Sequence, residues 1–133
     1  MATSSAQDIH EYLLAQGYGT SGVNMFYHKR PGDKDGMVIR STGGFDPDTT
    51  LLKSESCSRP TIQIHMRGAK YGYTAAYDTL SEIADFLDQT HEITINSKRY
   101  IAINKMSEIL DLGEDTSEKP ELSINFMLEF TGA

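Results

Sequence analysis

The chain has 133 residues with 12 Lys+Arg against 19 Asp+Glu, a formal net charge of -7, and its length suits one domain spanning 1–133. Affinity for DNA or RNA comes largely from Lys and Arg neutralising phosphates, so a chain this acidic is not a generic nucleic-acid binder. The single Cys57 allows no intrachain disulfide and has no thiolate partner for zinc, which suits a reducing compartment and cytosolic synthesis.

Met1 to Gln7 is small and polar, without the basic and apolar stretches of a leader, and reads as a short flexible end. No run approaches the roughly 20 apolar residues that span a bilayer, so no membrane partner is expected. Asp8 with Glu11 three residues on reads as an N-cap, and Ile9, Tyr12 and Leu13 recur at helical spacing until Gly17 and Gly19, which predicts a helix from Ile9 to Gln16. Val23 to His28 is rich in strand formers. The turn residues Pro31-Gly32-Asp33 and Asp35-Gly36 then lead to Met37-Val38-Ile39, so the pattern predicts a β-hairpin.

From Ser41 to Arg59 the composition shifts to Thr, Ser, Gly, Asp and Pro, with Phe45, Leu51 and Leu52 as its large apolar residues. This predicts a long loop, 41–59. Connections beyond about 12 to 15 residues are uncommon in compact domains, so the segment is either a binding arm or a plain surface loop. After Pro60, Thr61 to Arg67 alternates, with Ile62, Ile64 and Met66 on a core face and Gln63, His65 and Arg67 on a wet one. Tyr73 to Gln89 carries Tyr73, Ala76, Tyr77, Leu80, Ile83, Ala84 and Leu87 at three-and-four spacing, a helix whose apolar stripe covers the sheet.

Glu92 to Asn96 and Arg99 to Ile103 alternate around Asn96-Ser97-Lys98, the signature of a tight hairpin. Leu110 to Lys119 interrupts with Gly, Asp, Ser and Glu. Glu121 to Phe130 then places Leu122, Ile124, Phe126, Leu128 and Phe130 on one face of a long strand, before a short flexible end at 131–133. The order predicts an α+β domain: a mainly antiparallel sheet with two helices packed on one face and a long loop. A chain of this size has a modest core, which oligomerisation extends.

Catalytic and metal signatures are weak. His10, His28, His65 and His91 lie far apart, without the HxH, HxxxH or HExxH spacing that puts two imidazoles on one metal. Cys57 sits in a Ser-rich stretch with no nucleophile motif. Gly43-Gly44 lacks the following Lys-Ser/Thr of a phosphate loop, and the Gly17, Gly19 and Gly22 group leads toward a strand rather than a helix, so both read as turns. Asp46/Asp48 and Glu114/Asp115 read as solvated loop acids, and Tyr71 and Tyr73 near Arg67 and Lys70 carry too few cations for a nucleic-acid footprint. No enzyme, cofactor or metal is expected.

The ordered landmarks Arg59-Pro60-Thr61-Ile62-Gln63-Ile64-His65-Met66-Arg67-Gly68, Ala75-Ala76-Tyr77, Ile95-Asn96-Ser97-Lys98-Arg99-Tyr100 and Pro120-Glu121-Leu122-Ser123-Ile124-Asn125-Phe126 resemble the small minor capsid, or tail terminator, proteins of tailed bacteriophages. Gly43-Gly44-Phe45-Asp46-Pro47 is similar to their Gly-Gly and Pro loop. The likeness runs from about Ile9 to Phe130, with Ser97 standing where many members have glycine.

The resemblance implies a non-enzymatic virion protein of the tail and neck, made in the host cytoplasm. It would form a ring, commonly a hexamer, that caps the head-proximal end of the tail tube, stops tube growth and joins tail to head. Implied partners are other copies of itself, the tail tube protein, a head–tail connector or stopper protein and the tail sheath protein. Genome DNA would pass through the ring without specific binding, past an acidic wall. The expected assembly residues are Gly43, Gly44, Phe45, Asp46, Leu51, Leu52 and Arg59 in the arm, His65 and Arg67 on the strand, and Arg99 at the hairpin. A head-side connector, or a small-ligand-binding α+β domain with a pocket between helix 73–89 and the sheet, are the alternatives.

Overall fold

The computed structural model describes residues 3–21, 24–29, 35–48, 57–88 and 90–132. In chain order they form α1 (Ser5–Ala15), β1 (Met25–Tyr27), β2 (Gly36–Asp48), β3 (Cys57–Arg67), α2 (Tyr73–Asp88), β4 (His91–Ile95), β5 (Lys98–Lys105), β6 (Leu110–Glu114) and β7 (Pro120–Gly132). Seven strands make one sheet in the order β1-β2-β3-β7-β5-β4, with β6 paired to β7. The sheet is mixed rather than purely antiparallel, because β1 and β2 run parallel.

α1 starts earlier than its sequence pattern predicts. Ser4 is the N-cap, its hydroxyl accepting from the Gln7 amide at 3.1 Å, so residues 5–7 are helical instead of a flexible end. Asp8 is released from capping and turns inward. Ala6, Ile9 and Leu13, spaced three and four apart, are buried against the sheet.

The predicted hairpin of residues 23–28 with 37–39 is corrected by the register, which pairs Met25 with Met37 and Tyr27 with Ile39 in parallel. Parallel neighbours cannot be joined by a tight turn, so the chain must travel back to the start of β1 before β2 begins. Gly36 is where it arrives. Its φ is +124°, and a Cβ there would stand 2.3 Å from the Asn24 carbonyl oxygen, while the Met37 amide donates to that oxygen at 3.0 Å.

The predicted loop 41–59 is also corrected: β2 runs to Asp48 and β3 begins at Cys57, so its two ends are paired strands, with residues 49–56 outside the described set. Small polar residues misled the periodicity because Ser41 to Gly44 are exposed and carry a register shift between Ser41 and Gly44. Pro60 sits at that shift, opposite Gly44, where a missing N–H is tolerated.

β7 is the centre of the sheet. One edge pairs with β3 from Ser58 to Arg67; the other takes β5 along Phe126 to Gly132 and β6 along Pro120 to Ser123. The interruption predicted for 110–119 is thus a strand for its first five residues, followed by a turn. The Asn96-Ser97 hairpin turn is as predicted, and φ values of 51° and 67° give it the two left-handed residues of a type I′ turn, so serine replaces glycine without changing the turn.

α1 packs on β1, β2 and β3, and α2 on β3, β5 and β7. Their apolar stripes join Ile62, Ile64, Met66, Leu122, Ile124, Phe126 and Leu128 in one core cluster, so the alternation read from the two long strands identifies the inner face correctly.

Candidate assembly surface

The arm is a ladder. Gly44 faces Pro60 and Phe45 faces Arg59 across β2 and β3, which brings four of the predicted residues, Gly44, Phe45, Asp46 and Arg59, together beside Gly43 on neighbouring strands, with β7 on the far side of β3. The two glycines differ in role. At Gly43 (φ +91°) a Cβ would meet nothing, whereas at Gly44 (φ +146°) it would stand 2.5 Å from the Arg59 carbonyl oxygen and 2.6 Å from the Pro60 Cα. Glycine at 44 is what lets β2 lie against β3 here. Leu51 and Leu52 lie outside the described residues.

His65 and Arg67 are adjacent on the face predicted to be wet, but neither side chain stands in open solvent. His65 Nε2 lies 3.7 Å from Glu121 Oε1, and Arg67, buried, has Asp35 at 3.7 Å and Asp115 at 3.6 Å. Lys119 Nζ reaches Asp35 Oδ1 at 2.8 Å, so two cations and two carboxylates close a neutral quartet over the ends of β2, β3 and β7. Asp115 also accepts from the backbone amides of Ser117 and Lys119 at 2.8 and 3.0 Å, forming the β6–β7 turn. The Lys119 amide, then the Ser117 amide and the nearby Arg67 and Lys119 charges, outweigh desolvation and hold the Asp115 carboxyl below the usual value of 3.8. The quartet's visible work is to fasten the turn to the sheet.

Arg99 lies apart from both groups. It stands exposed on β5 and grips Glu92 through two bonds, Nε to Oε2 at 2.9 Å and Nη2 to Oε1 at 3.0 Å. The predicted site residues therefore fall into three places: the arm, the quartet end of β3, and the β4–β5 hairpin.

Two features escape sequence reading. The first is a buried network in which Asp8 accepts from Lys98, Tyr100, Asn96 and Thr3, tying α1 to the hairpin. Its members are 90 positions apart, beyond any local pattern. The second is β6, where all five residues are exposed, Leu110 at 58% and Leu112 at 48%. The short alternation Leu110-Asp111-Leu112 was its signal.

A groove of about 550 Å³ lies where the start of α2 meets the sheet, lined by Tyr18, Met37, Met66, Arg67, Gly68 and Ala76 among others. It is the place a pocket-based reading predicts. Among the described residues no three His, Cys, Asp or Glu side chains come together in a way that holds a metal ion, and no helix is long and apolar enough to cross a membrane.

The family model of the bacteriophage tail terminator protein matches residues 12–131, and the chain belongs to that family, whose members are structural phage proteins rather than enzymes. No curated protein matches the sequence. Among solved structures, a chain from the virion of a native gene transfer agent particle is similar in fold, with a TM-score of 0.66 at 12% identity over 98% of this chain and 100% of that chain.

Proposed function

We propose that this chain forms a homohexameric ring on the head-proximal end of the phage tail tube, where it stops tube growth and joins the tail to the head. Family membership over residues 12–131 carries the reading. The architecture supports it, because a ring needs two different surfaces on each subunit and the sheet has unlike edges on either side of β7. The tail tube protein, a head-side connector or stopper and the tail sheath protein are the partners such a position implies. The arm residues Gly43, Gly44, Phe45, Asp46 and Arg59, with Arg99 on the hairpin, are assigned to assembly contacts. His65 and Arg67 serve those contacts by fixing the end of β3.

Asp78, Glu82, Asp85 and Asp88 are exposed along α2, spaced so that they share a face. That face suits a channel wall, since it repels the phosphates of a passing genome. A ring whose lumen proved basic would reduce the acids to a role in solubility.

The test is assembly of tail tubes with and without the protein, observed by negative-stain microscopy. The expected result is a ring on one end of each tube and a fixed tube length. Tubes that bind no ring and keep lengthening in its presence would overturn the proposal, and binding to empty heads instead of tubes would identify a head-side connector.

A further inference from the structure

Among the described residues, besides the outer edges of β1 and β4 that end the sheet, strand edges stand open on opposite sides of β7. On one side β1 covers β2 only from Met37 to Ile39, so among the described residues Arg40 to Asp48 has β3 as its sole strand partner. On the other, β6 is paired to β7 alone. An open edge is a row of unsatisfied N–H and C=O groups, a template for another strand unless it is covered.

The two edges are chemically complementary. β6 presents Leu110 and Leu112, and Met106 just before it is 48% exposed. Its surroundings are acidic: Glu108, Asp111, Glu114, Asp115 and Glu118 follow Met106 with no Lys or Arg until Lys119. Asp115 is engaged by Arg67, but Glu108, Asp111 and Glu114 are exposed. Across the sheet, Tyr27 at the end of β1 is 40% exposed and Lys29 follows it in the open. Among the described residues beside this edge the cations are Lys29 and Arg40, and Asp35 between them is taken up by Arg67 and Lys119. Asp46 and Asp48 come further along β2, past these cations.

We propose that β6 of one copy docks on the β1–β2 edge of a second copy of this chain, the acidic, leucine-bearing edge against the basic one, as the repeating contact of the ring. The inference rests on the ring reading above. Because donor and acceptor edges differ, the contact is head-to-tail, and each added copy presents the same free edge until the ring closes. Main-chain bonds between the edges supply affinity, while the leucines and the charges set register and partner.

The experiment uses the full chain on isolated tail tubes, with ring formation scored by microscopy and soluble mass by analytical ultracentrifugation. One variant is Leu110→Lys/Leu112→Lys, the other Lys29→Glu/Arg40→Glu. Each alone is expected to lower ring-capped tubes at least tenfold. Mixed in equal amounts, they are expected to form a 1:1 complex that goes no further, since each keeps the edge the other lacks. If the leucine variant does not fold, Lys29→Glu/Arg40→Glu combined with Asp111→Lys/Glu114→Lys in one chain is expected to restore rings by reversing both sides. A wild-type ring with folded variants that still form rings, or a mixture that makes no 1:1 complex, overturns the edge contact and leaves the ring intact. Wild-type protein that forms no ring on tubes overturns the ring reading, and the edge contact with it.

Discussion

Lys98 Nζ lies 2.9 Å from Asp8 Oδ2, joining the first helix to the β4–β5 hairpin across 90 positions of sequence. The same carboxylate accepts from Tyr100 at 2.5 Å and from Asn96 at 2.7 Å. Breaking a buried pair by removing one partner strands the other charge, so Asp8→Ala is expected to cost about 3–5 kcal/mol. Lys98→Met, which keeps the bulk of the side chain, leaves a carboxylate that still has Tyr100 and Asn96, and it is expected to cost less. Urea unfolding of the two variants beside wild type checks the order.

The same network sets a pH window. Burial pushes the Asp8 carboxyl up, but bonds from Asn96, Thr3, Tyr100 and Lys98 together hold it below its ordinary 3.8. A depressed carboxyl contributes stability that is present above the unfolded value and lost as pH falls through the folded one, so the thermal midpoint is expected to drop below pH 3.8. Tyr100 is shifted upward by burial and by its bond to Asp8, so its contribution is complete below pH 10 and is lost as pH rises above that. Scanning calorimetry across both limbs, with Asp8→Asn expected to flatten the acid one, tests the assignment.

At the arm, Gly43 and Gly44 separate conformational strain from collision. Gly43→Ala meets only the positive φ and is expected to cost about 1 kcal/mol. Gly44→Ala adds overlap with the Arg59 carbonyl and the Pro60 Cα, which backbone on both strands must relieve, and is expected to cost about 2–3 kcal/mol. For a chain of this size the second change corresponds to a melting point lower by roughly 6–12 °C. Equal melting points would refute the geometry.

Arg99 separates folding from assembly. Its bidentate pair with Glu92 is solvent-exposed on both sides, and such pairs contribute about 0.2–1 kcal/mol. Arg99→Ala is therefore expected to leave the melting point within about 3 °C while reducing ring formation on tail tubes. A variant that assembles normally removes Arg99 from the interface.

Where the fold was legible, one periodic face met one core. Ile62, Ile64 and Met66 on β3, Leu122 to Leu128 on β7 and the stripe of α2 announce themselves because burial is one-sided and the period is kept. Edges were not legible. Ser41 to Gly44 of β2 and all of β6 have exposed side chains, so nothing forces an alternating pattern, and a polar strand reads as a loop. The parallel β1–β2 pair was hidden for another reason. Turn residues report that the chain reverses, whereas the approach of Gly36 to Asn24 decides where it re-enters, and that is a tertiary fact. Among the candidate site residues, composition marked off 41–59 as a segment but hid the pairing of its two ends, and the fastening of His65 and Arg67 by acids distant in the chain was not visible either.

β7 follows every other strand in the chain, yet β3, β5 and β6 all take it as their partner. Before residues 120–132 are made, the strands already present belong to two groups, β1-β2-β3 and β4-β5, that share no strand pairing, and β6 has no strand partner. A stalled or truncated nascent chain consequently has no completed sheet to offer a neighbour. A chain stopped before residue 120 lacks the strand on which β3, β5 and β6 converge, and is expected not to complete the sheet.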